Sequence, residues 1–129
     1  FADAHELPVL VHGGGQDEWD QVTQRYPKAN FIMAHACAWD GHNAIGRALY
    51  ERVRRTPNLY VDVSGSAAHH NAMFALIQLV GAERVLYGSD FPMFDLGFEV
   101  GRVTLSAIPD PQKEMILGAN ARRIFKRLR

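Results

Sequence analysis

Four short apolar runs are spaced along the chain, and longer segments with helical periodicity separate them. Runs of this length, bounded by Pro, Gly, Asn or Asp, predict buried strands. The predicted strands cover residues 8–11, 31–34, 59–63 and 85–87. The predicted helices cover residues 17–26, 43–55, 71–80, 98–107, 112–117 and 120–128, and residues 1–7 are predicted to be the last turns of another. Gly81 and Gly118 are predicted to cap helices at their C-terminal ends.

The order of these elements, a strand followed by a helix and repeated four times, predicts a parallel sheet. Neighbouring parallel strands need a crossover connection, and each interval is long enough for one helix. Two architectures use this repeat, an open doubly wound sheet and the eight-stranded (β/α)8 barrel of the TIM type. A complete barrel needs roughly 250 residues. The 129 residues of this chain, a single domain covering residues 1–129, would therefore form an open sheet or about half of such a barrel.

Composition excludes several classes of protein. Fourteen basic and fourteen acidic residues give a formal net charge of zero, which argues against a nucleic-acid partner or an electrostatic membrane anchor. No apolar run reaches the roughly 20 residues that span a bilayer. The single cysteine, Cys37, cannot form an internal disulfide, so we expect a reducing compartment such as the cytoplasm.

Polar residues follow the predicted strands. His12 follows the first strand, His35 the second, Ser64 the third and Asp90 the fourth, with Gly88 allowing close approach to the backbone there. Because parallel strands end at one rim, we expect these side chains to lie together. Two imidazoles and a carboxylate suit a divalent ion such as zinc, which lowers the pKa of a bound water to about 7. His35 and Asp90 also suit proton transfer near neutral pH.

Other residues offer weaker candidate sites. Residues 13–15 are glycines before a helix, so their amides would either bind a phosphate or carboxylate or form a flexible turn. Cys37 is either a nucleophile activated by His35 or a small buried thiol. Three histidines in predicted loops would either add to a metal site or be surface residues, which is the favoured interpretation: His42, His69 and His70. Three apolar residues would line a substrate pocket or pack in the core: Trp39, Met93 and Phe94.

Five motifs in chain order resemble the amidohydrolase-related family. They are PVLVH at residues 8–12, AH at 34–35, PNLYVDVSG at 57–65, YGSDFP at 87–92 and NARRIF at 120–125. This family is the metal-dependent hydrolase and decarboxylase branch of the amidohydrolase superfamily. The resemblance covers essentially the whole chain and corresponds to strands five to eight, the C-terminal half of the family's barrel.

The resemblance implies a role for each matching residue. His12 looks like the metal ligand of strand five, and Asp90 looks like the strand-eight aspartate that ligates the metal and helps to move a proton. His35 looks like the strand-six histidine that acts as acid or base. The implied cofactor is a divalent metal, with zinc expected and manganese the alternative, although some lactonases of the group work without metal. Family members hydrolyse amide, lactone or related bonds in small molecules, or decarboxylate small aromatic or unsaturated acids.

The sequence departs from the family in one respect. The family's first strand carries a His-x-His pair that completes the metal site, and no such pair occurs here. A sheet of four parallel strands with helices on one face would also leave its other face open to water. Besides a small-molecule substrate, we therefore expect a partner, either the missing N-terminal half or a second copy. A hydrolase is the expected function, with a decarboxylase or an inactive half-barrel fragment as alternatives.

Overall fold

The computed structural model describes residues 1–12, 16–36, 44–65 and 72–126. Its strands are β1 (Pro8–Val11), β2 (Asn30–Met33), β3 (Leu59–Asp62) and β4 (Val85–Leu86). Its helices are α1 (Gln16–Arg25), α2 (Ala44–Arg55), α3 (Ala72–Val80), α4 (Leu96–Thr104), α5 (Asp110–Glu114) and α6 (Asn120–Ile124). A 3-10 turn at Ala82–Arg84 precedes β4, and a π-helical turn at Met115–Ala119 joins α5 to α6.

The four strands form one parallel sheet in the order β1-β2-β3-β4. Leu10 lies opposite Ile32, and Ile32 lies opposite Tyr60. Asp62 is the last residue of β3 and lies opposite Leu86. The predicted βα repeat and its parallel sheet are therefore confirmed, in an arrangement consistent with part of an α/β barrel.

One face of the sheet packs against helices and carries most of the core. Side chains alternate between the two faces of a strand, so Phe31, Met33 and Val61 share this face. Their core contains buried residues from α1, α2, α3 and α4, among them Trp19 and Val53. Because this face is apolar throughout, burial under helices removes it from water.

The opposite face is covered in part by the C-terminal helix. Ile32, Tyr60 and Leu86 form a second core with Ile124 of α6, against which Phe125 also packs. An ion pair between Lys126 and Glu6 joins the end of α6 to the turn before β1. The expectation of helices on one face only was therefore wrong. Coverage is incomplete, because Leu10 in β1 remains 64% exposed.

One further prediction about helices was wrong, and another was met in part. The segment before β1 forms one hydrogen-bonded turn, in which the His5 N–H donates to the Phe1 carbonyl over 3.2 Å, and it ends at Glu6, where φ is 51°. Gly118 does not end a helix, because it lies inside the π-helical turn, where the Asn120 N–H donates to the Met115 carbonyl. Gly81 does cap α3, with a φ of 88° and an N–H bond to the Ile77 carbonyl of 2.9 Å. No helix in the described ranges is long and apolar enough to cross a bilayer.

Candidate functional site

The predicted site residues follow the strands as expected. His12 comes directly after β1 and is exposed, whereas His35 and Asp90 are half-buried beyond β2 and β4. The rings of His12 and His35 meet edge to face, with centroids 5.0 Å apart and an interplanar angle of 75°. The ends of β1 and β2 therefore bring two of the predicted residues into contact.

His35 is joined to β3 through Ser64 and Asp62. Its Nδ1 lies 3.0 Å from the Ser64 hydroxyl oxygen and 3.3 Å from the Ser64 carbonyl oxygen. The Ser64 hydroxyl donates to Asp62 Oδ1 over 2.5 Å. The same oxygen accepts the backbone N–H groups of His35 and Ser64, each over 3.0 Å. Asp62 is 6% exposed, so these three donors compensate a buried carboxylate that would otherwise be costly.

Gly65 and Gly88 leave room for the side chains of this hydrogen-bond network, because neither carries a Cβ. Gly65 has a φ of 85°, and a Cβ there would lie 2.9 Å from His35 Nδ1. A Cβ on Gly88 would lie 3.0 Å from the Ser64 Cβ and 3.1 Å from the Asp62 Cγ. The prediction that Gly88 permits close approach is confirmed, and the approaching groups are Ser64 and Asp62.

The backbone at both predicted catalytic residues is left-handed. The φ angle is 62° at His35 and 54° at Asp90, and Glu6 is the other non-glycine residue of the described ranges with a positive φ. Such a conformation costs of order 1–3 kcal/mol and persists where the surrounding structure holds it in place. At His35 the bond from its own N–H to Asp62 is one such restraint.

A buried ion pair lies beside the network. Glu99, which is 1% exposed, accepts a bond of 2.7 Å from Arg102 Nη1, one turn along α4. The same guanidinium nitrogen donates to the Gly65 carbonyl, directly after Ser64. Within the described part of the chain, three buried atoms of this region have no hydrogen-bond partner: Tyr87 Oη, Glu99 Oε1 and Arg102 Nη2.

Burial and neighbouring charges shift two of these groups. Burial raises the pKa of Glu99, Arg102 opposes that shift, and the carboxylates of Asp90 and Asp62 add to it. The pKa of Tyr87 is also raised, first by burial and then by the charge of Glu99. Asp90 therefore lies within electrostatic reach of Glu99, which connects the end of β4 to this buried region.

The described residues supply part of a metal site. Across residues 1–12, 16–36, 44–65 and 72–126, no group of three or more His, Cys, Asp or Glu side chains is placed to hold a metal ion. His12 and Asp90 have the right donor atoms for zinc or manganese, but two ligands do not complete a site. Of the other candidates, Met93 is exposed and Phe94 is half-buried. The rest lie outside the described residues: residues 13–15, Cys37, Trp39, His42, His69 and His70.

Sequence reasoning did not identify Asp62, Glu99 or Arg102 as part of the site. Asp62 ends an otherwise apolar strand and has the same parity as Ser64, which is a signal for a carboxylate on one face near the rim. Glu99 and Arg102 are spaced i,i+3 in α4, but this spacing is also usual on exposed helices. Only the packing of α4 shows that this pair is buried.

Comparison with known proteins identifies the family. Residues 1–127 match the family model described as amidohydrolase. The structure is similar to an uncharacterised TIM-barrel protein from Bordetella bronchiseptica, with 23% identity, a TM-score of 0.71, and coverage of 96% of this chain and 47% of that one. For an amidohydrolase from Burkholderia multivorans with bound zinc, the identity is 18%, the TM-score 0.73 and the coverage 97% and 54%. A dihydroxybenzoic acid decarboxylase from Polaromonas sp. JS666, with bound manganese and an inhibitor, is also similar. Its identity is 16%, its TM-score is 0.71, and the match covers 99% of this chain and 52% of that one.

The structural similarity to these proteins, at sequence identities under 25%, shows the fold alone, which is a partial (β/α)8 barrel. The chain spans about half the length of these structural relatives. No curated protein matches the chain. The family match extends over nearly all of the sequence, and it agrees with the resemblance carried by the five motifs. The chain therefore belongs to the amidohydrolase family.

Proposed function

We propose that this chain forms the C-terminal half of the active site of a metal-dependent hydrolase that cleaves an amide, lactone or related bond in a small molecule. The contact between His12 and His35 at neighbouring strand ends, with His35 bonded into β3, is the observation that carries this proposal. It places a candidate ligand beside a candidate proton-transfer group. Family membership supports the same assignment.

In this proposal His12 and Asp90 hold the metal, together with ligands from the rest of a barrel. Relatives with bound zinc and manganese favour a divalent ion. When bound, such an ion supplies Lewis-acid polarisation of the bond to be cleaved. Asp90 contributes a carboxylate beyond the end of β4, from a residue with a left-handed backbone.

His35 is proposed as the acid–base group. It is half-buried, contacts His12 and is fixed through Ser64, so its ring is oriented before substrate arrives. Positioned proton transfer of this kind contributes about 100- to 10,000-fold to a rate. The expected effect of losing His35 lies in that range.

A decarboxylase is the second candidate function, because a dihydroxybenzoic acid decarboxylase is among the structural relatives. The same proton-transfer group would then protonate the carbon that loses its carboxylate. A catalytically inactive half-barrel is the third. Release of carbon dioxide separates the second candidate from hydrolysis, and absence of any turnover with bound metal would favour the third.

The site is proposed to be completed by a partner, either an N-terminal half-barrel or a second copy of the chain. One observation supports this: Leu10 remains 64% exposed on a sheet face. Light scattering on the chain alone, combined with urea unfolding, tests it. A monomer that unfolds cooperatively would contradict it.

The activity test uses the full chain loaded with zinc or manganese and a panel of lactones, amides and dihydroxybenzoates. Turnover is expected to fall about 100-fold or more in an H35N variant. The matched control is H5N, since His5 is exposed in the turn before β1. Turnover that H35N leaves unchanged would contradict the role of His35.

A further inference from the structure

We propose that Asp62 is a positioning residue that acts through Ser64 to fix the proton of neutral His35 on Nδ1, leaving Nε2 as its basic nitrogen. The catalytic meaning of this inference rests on the proposed function of His35. The inference itself concerns a hydrogen-bond direction, and it can be tested without substrate or metal.

The direction follows from the groups that surround Asp62. Its Oδ1 accepts the Ser64 hydroxyl proton over 2.5 Å. Because a hydroxyl has one proton, the Ser64 oxygen is then available to His35 only as an acceptor. Nδ1 of His35, 3.0 Å away, must therefore carry a hydrogen to complete this bond.

A second acceptor gives the same result. The Ser64 carbonyl oxygen lies 3.3 Å from His35 Nδ1, and a carbonyl accepts only. Both contacts to Nδ1 are thus satisfied by the Nδ1–H form, and the Nε2–H form satisfies neither. The hydrogen-bond partners of Nδ1 thereby determine which ring nitrogen carries the proton, as in other oriented histidines.

Asp62 determines this direction at the Ser64 hydroxyl, which makes the shorter of the two contacts to Nδ1. Without its carboxylate, the Ser64 hydroxyl is free to rotate and donate its proton to Nδ1. That change would favour the Nε2–H form and remove the basic lone pair from Nε2. The wild-type order of proton donation is therefore from His35 Nδ1 to the Ser64 hydroxyl, and from that hydroxyl to Asp62.

The packing at this point admits little rearrangement. Gly65 and Gly88 leave no room for a Cβ beside His35 and Asp62, respectively. Arg102 donates to the carbonyl of Gly65 and so restrains the segment after Ser64. The network is thus held from β3, from the end of β4 and from α4.

The test is imidazole 15N NMR on the full chain labelled at histidine, at a pH where the rings are neutral. The protonated and unprotonated ring nitrogens have well-separated 15N shifts, and an H35N sample identifies the His35 signals. Wild-type His35 is expected to show a protonated Nδ1. A protonated Nε2 in the wild-type protein would overturn the inference.

The variant D62A is expected to move the two His35 shifts toward the Nε2–H pattern, while exposed His5 stays unchanged. The matched control is D62N, because the two backbone N–H donors select the amide oxygen and preserve the acceptor. S64A is a second test: the backbone carbonyl of residue 64 remains as an acceptor, so this variant is expected to keep the Nδ1–H form. A folded D62A protein whose His35 shifts equal those of wild type, or an S64A protein in the Nε2–H form, would overturn the inference.

The tautomer of His35 can be measured independently of enzymatic activity. A completed, metal-loaded site without turnover, in a chain with the Nδ1–H form, would remove the proposed function and leave the positioning role of Asp62 in place. An active chain with the Nε2–H form would do the reverse. In an active chain, D62A is expected to lower kcat more than it raises KM, with D62N close to wild type.

Discussion

His35 and Asp90 share a left-handed backbone conformation, with φ angles of 62° and 54°, although they follow different strands. Histidine and aspartate tolerate this region better than most residues, but it is uncommon for both. The conformation turns the chain sharply after β2 and β4. It thereby fixes the point from which each side chain leaves the backbone at the strand ends.

The backbone at Asp90 gives a stability prediction. Asn adopts the left-handed conformation readily and Ala does not, so D90A is expected to be less stable than D90N by about 1 kcal/mol. Urea unfolding of the two variants measures the difference. Equal stabilities would show that Asp90 is not held in this conformation in solution.

Gly88 gives a prediction about space. A methyl group there would lie 3.0 Å from the Ser64 Cβ, so G88A is expected to cost about 1–3 kcal/mol through crowding. The control is G101A in α4, where nothing lies within 4 Å of an added Cβ. G101A is expected to be neutral or to stabilise by up to about 1 kcal/mol. Similar unfolding free energies for G88A and wild type would contradict the packing around Asp62.

The Glu99–Arg102 pair gives a prediction about buried charge. R102M leaves Glu99 buried without its partner, and loss of one partner from such a pair costs about 3–5 kcal/mol. The double variant E99M/R102M is expected to be more stable than R102M, because neither charge remains. The control is D110N, which removes the charge of Asp110, an 87% exposed side chain, from its pair with Lys113 and should cost less than about 1 kcal/mol. A double variant less stable than R102M would contradict this account.

The raised pKa of Glu99 gives a prediction about pH. A carboxyl whose pKa is higher in the folded state binds more protons there than in the unfolded state, so stability falls as pH rises. The window begins near the ordinary glutamate value of 4.5 and ends above the raised folded pKa. The glutamine of E99Q does not titrate, so this variant lacks the Glu99 contribution to the pH dependence. The unfolding free energy of E99Q minus that of wild type is therefore expected to increase through this window, and a constant or decreasing difference would contradict it.

The sequence predicted the strands and the main helices well, because each apolar run is short and bounded by turn residues. Each of the four observed strands begins within one residue of its predicted start. The exceptions depend on distant contacts. The sequence places Ile124 and Phe125 of α6 toward the core, as observed, but it does not indicate which face of the sheet they cover.

Only the part of the candidate site that lies directly after the strands could be predicted from the sequence. His12, His35 and Asp90 follow strands, so their positions follow from topology, and their catalytic and metal-binding roles stay predictions. The hydrogen bonds of Asp62 that hold His35 and Ser64 were not predictable, because they depend on which carboxylate lies near which backbone N–H. Asp62 accepts from His35, 27 residues earlier in the chain, and no spacing rule gives that contact.

The most direct test of the proposed metal site is paramagnetic broadening by Mn²⁺ in the NMR spectrum of the full chain. This probe detects weak binding, as expected for a site with two ligands from this chain. Mn²⁺ is predicted to broaden the signals of His12, His35 and Asp90 first, and H12A and D90N should each abolish that effect. Broadening that leaves these three residues unaffected, or that persists unchanged in both variants, would contradict the account.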